Sequence, residues 1–420
     1  MLTISKRGLL LASAALLLAP QAADAAGFYL QEQSVKGLGA AFSGGVTSID
    51  DASTIWFNPA NMTKLDGRQA NLGVHVLIPN AKIKNNGSVM PGGQPANGDG
   101  GNPYDPTPLP NVFVATPVTD DGKLWAGIGL TAPFGLASDY GNTWFGRYDS
   151  TKTELKTYNI QPSIAYQATD WLSIGGGIDI QYAEADLRSA VNVGTPVDGL
   201  SKLTGDTWSV GYNVGLQIKP IETTEIGLHY RSAISHTLDG KIEITGAGPG
   251  NLNTKGEADL NLPDIATFGV AHQATPDLKL MAQATWFGWN NFDNITALTN
   301  TGAVVSRVEQ NYQTTWAFAV GAEYDLNDKW TVRGGYQFDE TPTTDQYRTS
   351  RTPDGDRNWF SAGASYNLRP NLSIDMAATY IHVGDGTINV ARNVPGNVAT
   401  INGKTEGSVG IVAAGLNYKF

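Results

Sequence analysis

Residues 208–218 read Trp-Ser-Val-Gly-Tyr-Asn-Val-Gly-Leu-Gln-Ile. Trp208, Val210, Tyr212, Val214, Leu216 and Ile218 share one parity, while Ser209, Gly211, Asn213 and Gln217 share the other. Successive side chains of a strand point to opposite faces, so a period of two builds one apolar face and one small or polar face. The pattern recurs in Leu72, Val74, Val76 and Ile78. It returns in Trp316, Phe318, Val320, Ala322, Tyr324 and Leu326, in Trp330, Val332, Tyr336 and Phe338, and in segments 360–368 and 372–380. A β-sandwich alternates as well. Here Trp and Tyr stand near the ends of the apolar sets, with aliphatic residues between them, as in aromatic girdles bordering an acyl-chain band.

The connections between strands also alternate. Short ones fall at 169–170, 219–223, 275–277, 327–329 and 369–371; long polar ones fall at 85–110, 135–150, 192–205, 246–253, 343–356 and 393–402. Short turns on the periplasmic side and long outer loops belong to transmembrane barrels. The expected fold is all-β, an antiparallel transmembrane β-barrel of roughly fourteen strands, an even number that returns the C-terminus to the periplasmic side. The last strand puts Val412, Ala414, Leu416, Tyr418 and Phe420 on one face. The terminal Phe420 looks like the signal read by the barrel assembly machinery.

Composition agrees. Charged residues make up only 16% of the chain, yet no segment past the leader is apolar enough to be a membrane helix, while Gly (49) and Tyr (16) are abundant. Lys6-Arg7, the apolar run 9–18 and Ala23-Asp24-Ala25 read as a signal peptide spanning 1–25, with Ala26 as the expected mature start. The absence of Cys removes disulfides, thiol catalysis and a lipoprotein anchor. A net charge of −11 disfavours nucleic acid as a partner.

One segment breaks the strand pattern. Residues 27–65 are rich in small residues and carry Asp50-Asp51-Ala52 and then Trp56-Phe57 against Asn58-Pro59-Ala60. Small residues allow close backbone packing, and proline biases the residue before it toward extended structure. We read residues 26–67 as a plug, or hatch, inside the lumen of a barrel formed by 68–420. Together Gly27-Phe28-Tyr29-Leu30, Gly37-Leu38-Gly39-Ala40-Ala41, the Asp-Asp-Ala run and Asn58-Pro59-Ala60 resemble the mature start of the FadL family of outer-membrane channels for long-chain fatty acids and other hydrophobic compounds. Leu262-Pro263-Asp264 and Pro353-Asp354-Gly355-Asp356-Arg357-Asn358-Trp359 extend the resemblance.

The resemblance implies fourteen strands, a location in the bacterial outer membrane, and Phe28 as the aromatic third residue that fills a lumenal ligand pocket. It also implies an inward kink of the third strand that opens the wall sideways. Pro133, Phe134 and Gly135 fall there, and independently proline and glycine mark a place where a ladder cannot continue regularly. Of the basic residues that hold a fatty-acid carboxylate in the best-known member, the first falls one position from Arg188, and alternation then reverses its face. The second aligns with the neutral Gln313. Asp354, Asp356 and Arg357 are expected to form an ion-pair cluster that orders a loop.

The expected function is passive uptake of long-chain fatty acids or other hydrophobic molecules, with ligand binding moving Phe28 and the plug around Asn58, Pro59 and Ala60, followed by sideways release at Pro133–Gly135. The alternatives are neutral aromatic hydrocarbons as cargo, or adhesion through the outer loops. Expected partners are the hydrophobic ligand, outer-membrane lipid and lipopolysaccharide. A closed barrel has no strand edge to pair, so a monomer is expected. His75, His229, His236, His272 and His382 form no metal spacing, and no Gly-x-Ser-x-Gly elbow is present. Asp99 and Asp105 are too sparse for a calcium loop. No enzyme, metal or cofactor is expected.

Overall fold

A computed structural model describes residues 27–394 and 397–420. The signal peptide and its cleavage site, expected at 1–25, lie outside these residues. Fourteen staves close into one antiparallel barrel. The first runs Gln69–Asn85, the second Thr107–Pro117, and the third is broken into Leu124–Thr131 and Gly135–Asp139. The fourth, fifth and sixth are Lys152–Thr169, Leu172–Val191 and Gly199–Ile221. The seventh to tenth are each interrupted: Thr224–Arg231 with Ile234–Thr245, Leu252–Leu262 with Ile265–Thr275, Leu278–Phe287 with Asn294–Thr299, and Val304–Glu309 with Thr315–Asn327. The last four are Trp330–Asp339, Arg357–Arg369, Leu372–Val394 and Asn397–Lys419.

Closure is direct. The first strand pairs with the last from Gln69↔Lys419 to Asn85↔Gly403. With the first and last strands joined, backbone donors and acceptors are satisfied strand to strand along most of the wall, which spanning a hydrocarbon layer requires. The alternation separates two environments. Leu72, Val74, Trp208, Val210, Val214, Phe318, Val320 and Val412 are exposed on the outside, whereas Gln161, Asp179, Asn213 and Arg231 are buried inside. The Tyr182 ring meets Trp208 with centroids 5.3 Å apart, a cross-strand aromatic pair in the outer belt.

Residues from Gly27 to Met62 fill the interior almost without solvent exposure. Three short turns give this plug its shape: Val35–Gly39, capped where the Gly37 amide donates to Ser34 Oγ at 3.2 Å, then Thr54–Phe57, and the 3₁₀ turn Pro59–Lys64. Phe42 packs on Phe57 at 5.6 Å and on Trp359 at 6.3 Å, tying the plug's core to the wall. At two of the closest approaches of plug to wall, the wall residue is glycine. A Cβ on Gly175 would overlap the Ala60 amide, and one on Gly215 would overlap Asn58 Oδ1. That close approach is what glycine permits.

Candidate functional site

The break in the third strand is a bulge of one residue. Below it Thr131 pairs with Asn159, and above it Gly135 pairs with Lys156. Three residues, 132–134, therefore face two, 157–158, on the fourth strand. The wall does not close beyond this point. The ladder between the second and third strands runs only from Val112↔Leu130 to Pro117↔Trp125. Residues 107–111 pair with the first strand alone, and Gly135–Asp139 pair with the fourth alone. The Asp139 amide bonds the Pro103 carbonyl at 2.8 Å and bounds the gap on the loop side.

The N-terminal end of the plug lies against this gap. The Leu30 amide donates to the Pro133 carbonyl at 2.8 Å, and the Gly135 amide donates to the Phe28 carbonyl at 3.0 Å. Thr157 holds the bulge from the other side. Its Oγ accepts from the Phe134 amide at 2.9 Å and donates to the Phe134 carbonyl at 2.9 Å.

The Phe28 side chain is 4% exposed. It sits edge-on to Trp289 at 4.8 Å, Phe292 at 5.4 Å and Phe134 at 6.1 Å. Trp289 and Phe292 come from the interruption of the ninth strand and Tyr312 from that of the tenth. Both interruptions fold inward, and Tyr312 closes the group at 5.0 Å from Phe292. Asn311 next to it has φ +42°, a left-handed conformation that asparagine tolerates. Periodicity alone did not reveal this aromatic cage, because its members lie where the alternation fails.

Phe28 borders two cavities. One, of about 60 Å³, is apolar and lined by Leu136, Leu155, Leu187, Leu203, Leu238 and Leu260, with Arg351 and Thr352 also bordering it. The other, of about 450 Å³, spans the gap between the second and third strands, where Pro110, Phe134, Gly135 and Tyr158 line it. Leu136 and Leu155 border both.

Asp354, Asp356 and Arg357 meet, and they do more than pair. Arg357 bonds Asp354 at 2.9 Å. Asp354 also accepts from the Gly27 amide at 2.7 Å and from the Thr341 hydroxyl at 2.6 Å, and Arg357 donates to the Gly27 carbonyl at 2.7 Å. Asp356 accepts from the Thr341 amide at 3.2 Å. The cluster thus grips the residue before Phe28. Gly27 has φ +61°, and a Cβ there would come 2.7 Å from the Trp289 ring, so the grip requires glycine.

Asn58, Pro59 and Ala60 stand apart from Phe28, on the wall of the fifth and sixth strands. Asn58 Nδ2 donates at 3.0 Å to the Val46 carbonyl and at 3.0 Å to the Leu216 carbonyl, while its Oδ1 caps the 3₁₀ turn at the Ala60 amide, 3.1 Å away. Pro59 occupies the first position of the turn, where a missing N–H costs nothing. Nearby, Arg231 pairs with Asp179, donates to the Trp56 carbonyl at 2.8 Å, and stacks 3.6 Å from the Trp56 ring. Its guanidinium also donates to Gln161 Oε1 at 3.1 Å, and a buried, hydrogen-bonded pair of this kind fixes local geometry.

Of the two positions weighed as carboxylate holders, Arg188 forks onto Asp186 at 2.5 and 2.9 Å, and Gln313 is exposed. Neither borders the apolar cavity. Arg351, which sequence reasoning did not single out, does border it. Burial pushes its guanidinium down to about 10, opposed by Asp149. His75, His229 and His236 are buried at separate places, and His382 is exposed on the barrel's outside. Among the described residues no three His, Asp or Glu side chains are grouped as metal ligands.

Comparison with known proteins gives this geometry a context. The family described as "Outer membrane protein transport protein (OMPP1/FadL/TodX)" matches residues 16–420. The long-chain fatty acid transport protein of Salmonella typhi is 27% identical over 426 residues, covering 94% of each chain. Outer membrane protein P1 of Haemophilus influenzae is 29% identical over 459 residues, covering 98% of each. A crystal structure of a Pseudomonas aeruginosa FadL homologue superimposes with a TM-score of 0.88 at 26% identity, covering 94% of this chain and all of that one. The chain therefore belongs to the OMPP1/FadL/TodX family of outer-membrane transport proteins, and its closed fourteen-stranded barrel is an outer-membrane barrel.

Proposed function

We propose that this protein passively carries hydrophobic molecules inward across the outer membrane, releasing them sideways through the gap in its wall. One observation carries the reading: Phe28 borders both an apolar cavity and the cavity at the gap, and its backbone is bonded to the gap's edge. The similarity to fatty acid transport proteins supports hydrophobic cargo. Water-filled pores serve such solutes badly, since exposing apolar surface costs about 25 cal/mol per Å². The apolar cavity of about 60 Å³ is small beside the cavity of about 450 Å³ at the gap. We infer that an alkyl chain longer than a few carbons enters this cavity by displacing Phe28.

Ligand binding and Phe28 seating are then mutually exclusive, so the ligand prefers the state with Phe28 displaced. In that state the bonds from Leu30 to Pro133 and from Gly135 to Phe28 are lost, and the two cavities join. Residues 26–67 act as the hatch, once the segment 1–25 has been removed. The Asn58-Pro59-Ala60 turn and Trp56 hold the body of the hatch to the wall, leaving the stretch around Phe28 as the part that moves. No step calls for an energy source or a cofactor.

The test is mass spectrometry of small molecules extracted from purified wild type and Phe28→Ala, followed by binding of added alkyl probes. The expected result is a hydrophobic molecule bound in both, at a different occupancy in the variant. Binding of nothing by either protein would sink the transport reading.

A further inference from the structure

The outer loop 343–356 folds inward. The ladder between the eleventh and twelfth strands ends at Asp339↔Arg357, while the thirteenth strand runs on to Val394. The loop joins the two shorter strands, and Thr349, Ser350, Arg351 and Thr352 at its centre are buried. Arg351 and Thr352 border the apolar cavity, whose sides are laddered strand at Leu187, Leu203, Leu238 and Leu260. Phe28 borders it from the hatch. Segment 349–352 is a part of the lining that belongs to neither strand nor hatch.

Side chains fasten this segment. Among the described residues the backbone bonds of 343–353 stay inside the loop, from the Tyr347 and Arg348 amides to the Thr344 carbonyl at 2.9 and 2.7 Å. The charged fastening is Asp149. One oxygen accepts from the Ser350 amide and hydroxyl at 2.7 and 2.5 Å, and the other accepts twice from Arg392, near the top of the thirteenth strand, at 2.5 and 2.8 Å. The other bonds go to neutral acceptors. The Tyr140 hydroxyl donates to the Ser350 carbonyl at 2.8 Å, Arg351 donates to the Lys152 and Arg188 carbonyls at 3.3 Å and to Thr153 Oγ at 3.2 Å, and the Thr352 hydroxyl donates to Gln310 at 3.4 Å. Bonds to an ionised group are the strong ones, so Asp149 dominates the hold. A segment held without a ladder opens at lower free energy than the strands around it.

Two residues past Thr352, Asp354 accepts from the Gly27 amide, and Arg357 donates to the Gly27 carbonyl. The loop that borders the cavity from above therefore leads straight into the grip on the residue before Phe28.

We propose that segment 349–352 is an entry lid over the apolar cavity, latched by Asp149 between Ser350 and Arg392, and that a hydrophobic ligand enters from the outer side by lifting it. The assignment rests on the transport reading above. Because Asp354 follows on the same loop, lifting the lid also slackens the hold on Gly27, so entry prepares Phe28 to leave.

Two readouts test this on the full barrel in a non-ionic detergent. The chain has no cysteine, so a Thr352→Cys thiol reports lifting through its rate of reaction with a hydrophilic maleimide. Entry is read, without that reporter, as the association rate of a neutral pyrene-labelled alkanol. Asp149→Ala is expected to raise both rates by at least about tenfold. A Thr47→Cys thiol, at a buried position of the hatch, stays unreactive in the Asp149→Ala background and reports a folded barrel. Should it react, Asp149→Asn, which removes only the charge, carries the same test. Faster reaction at position 352 with unchanged or slower association overturns the lid as an entrance and leaves the transport reading standing. Unchanged reaction at position 352 overturns the latch and the proposal with it. Failure of the probe to bind wild type overturns both readings.

Discussion

The carbonyl of Phe28 accepts a hydrogen bond from the amide of Gly135 at 3.0 Å. The residue that borders the apolar cavity and the residue that begins the upper arm of the broken strand are thus directly joined. Withdrawing Phe28 from Trp289 and Phe292 pulls on this bond and on its companion from Leu30 to Pro133. On the proposed mechanism, occupancy of the cavity and closure of the gap are linked by this contact, with no need for a distant relay.

Phe28→Ala removes the aromatic seat and weakens docking of the N-terminal stretch by about 3 kcal/mol, the ordinary cost of truncating a buried phenylalanine. Limited proteolysis is expected to cut within 28–33 in the variant and spare the wild type. Hexadecanol binding is expected to tighten, because the probe no longer competes with a side chain.

Deleting Pro133 matches two residues against two across the bulge and restores a continuous ladder between the third and fourth strands. Uptake of labelled palmitate by cells is expected to fall by about tenfold or more. The barrel should still migrate as a folded species on an unheated gel. Undiminished uptake would show that the gap is not the exit.

Asp354→Ala leaves the Gly27 amide, the Thr341 hydroxyl and Arg357 without their shared acceptor. Hydrogen bonds to a charged group contribute about 1.5–3 kcal/mol each in favourable settings. Amide exchange at residues 27–30 is expected to accelerate by at least about tenfold relative to wild type, with exchange in 54–64 unaltered.

Gly215→Val places side-chain atoms where Asn58 Oδ1 and the Pro59 ring lie. The plug cannot sit flush on the sixth strand, and its loss of seating is expected as protease sensitivity across 35–64. Replacing the outward-facing Val214 by isoleucine, by contrast, is expected to change nothing in that assay.

Glu32 offers a pH test. It is 3% exposed; burial pushes its carboxyl up to about 7, while a bond to its own backbone and the nearby Arg357 work the other way. Asp339 also acts in this region, and Asn111 Nδ2 donates to the Glu32 carbonyl at 3.5 Å. Because the seated value exceeds the ordinary 4.5, seating is strongest below that ordinary value and is lost progressively as pH rises toward about 7. Between about pH 5 and 8, exchange of hatch amides, corrected for intrinsic rates, should rise in wild type and stay level in Glu32→Gln.

The barrel was legible because its rule is local. In a strand such as 208–218 the parity of each residue declares its face, and the lipid-facing set is apolar over the whole stave. The kink was legible for the same reason, since Pro133 and Gly135 interrupt that rule visibly. The aromatic cage was not. Trp289, Phe292 and Tyr312 lie in breaks of the ninth and tenth strands, and only the closed barrel brings them to Phe28. Arg351 was hidden for a different reason. An arginine in a polar loop reads as solvated, and its burial follows from Asp149 clamping Ser350 from a loop some two hundred positions earlier. Asp354 was expected to order its own loop, and its bond to Gly27 spans 327 positions.

The bulge in the third strand also shifts the strand's phase. Below it the odd-numbered residues Trp125, Gly129 and Thr131 are buried; above it the even-numbered Ser138 is buried and Leu136 lines the cavity. The extra residue absorbs that shift, so both arms keep their inward faces against the fourth strand. Deleting it would leave Leu136 opposite Leu155 and still facing inward, so on the proposed mechanism a lineage could seal the wall without turning any cavity-lining side chain to the lipid.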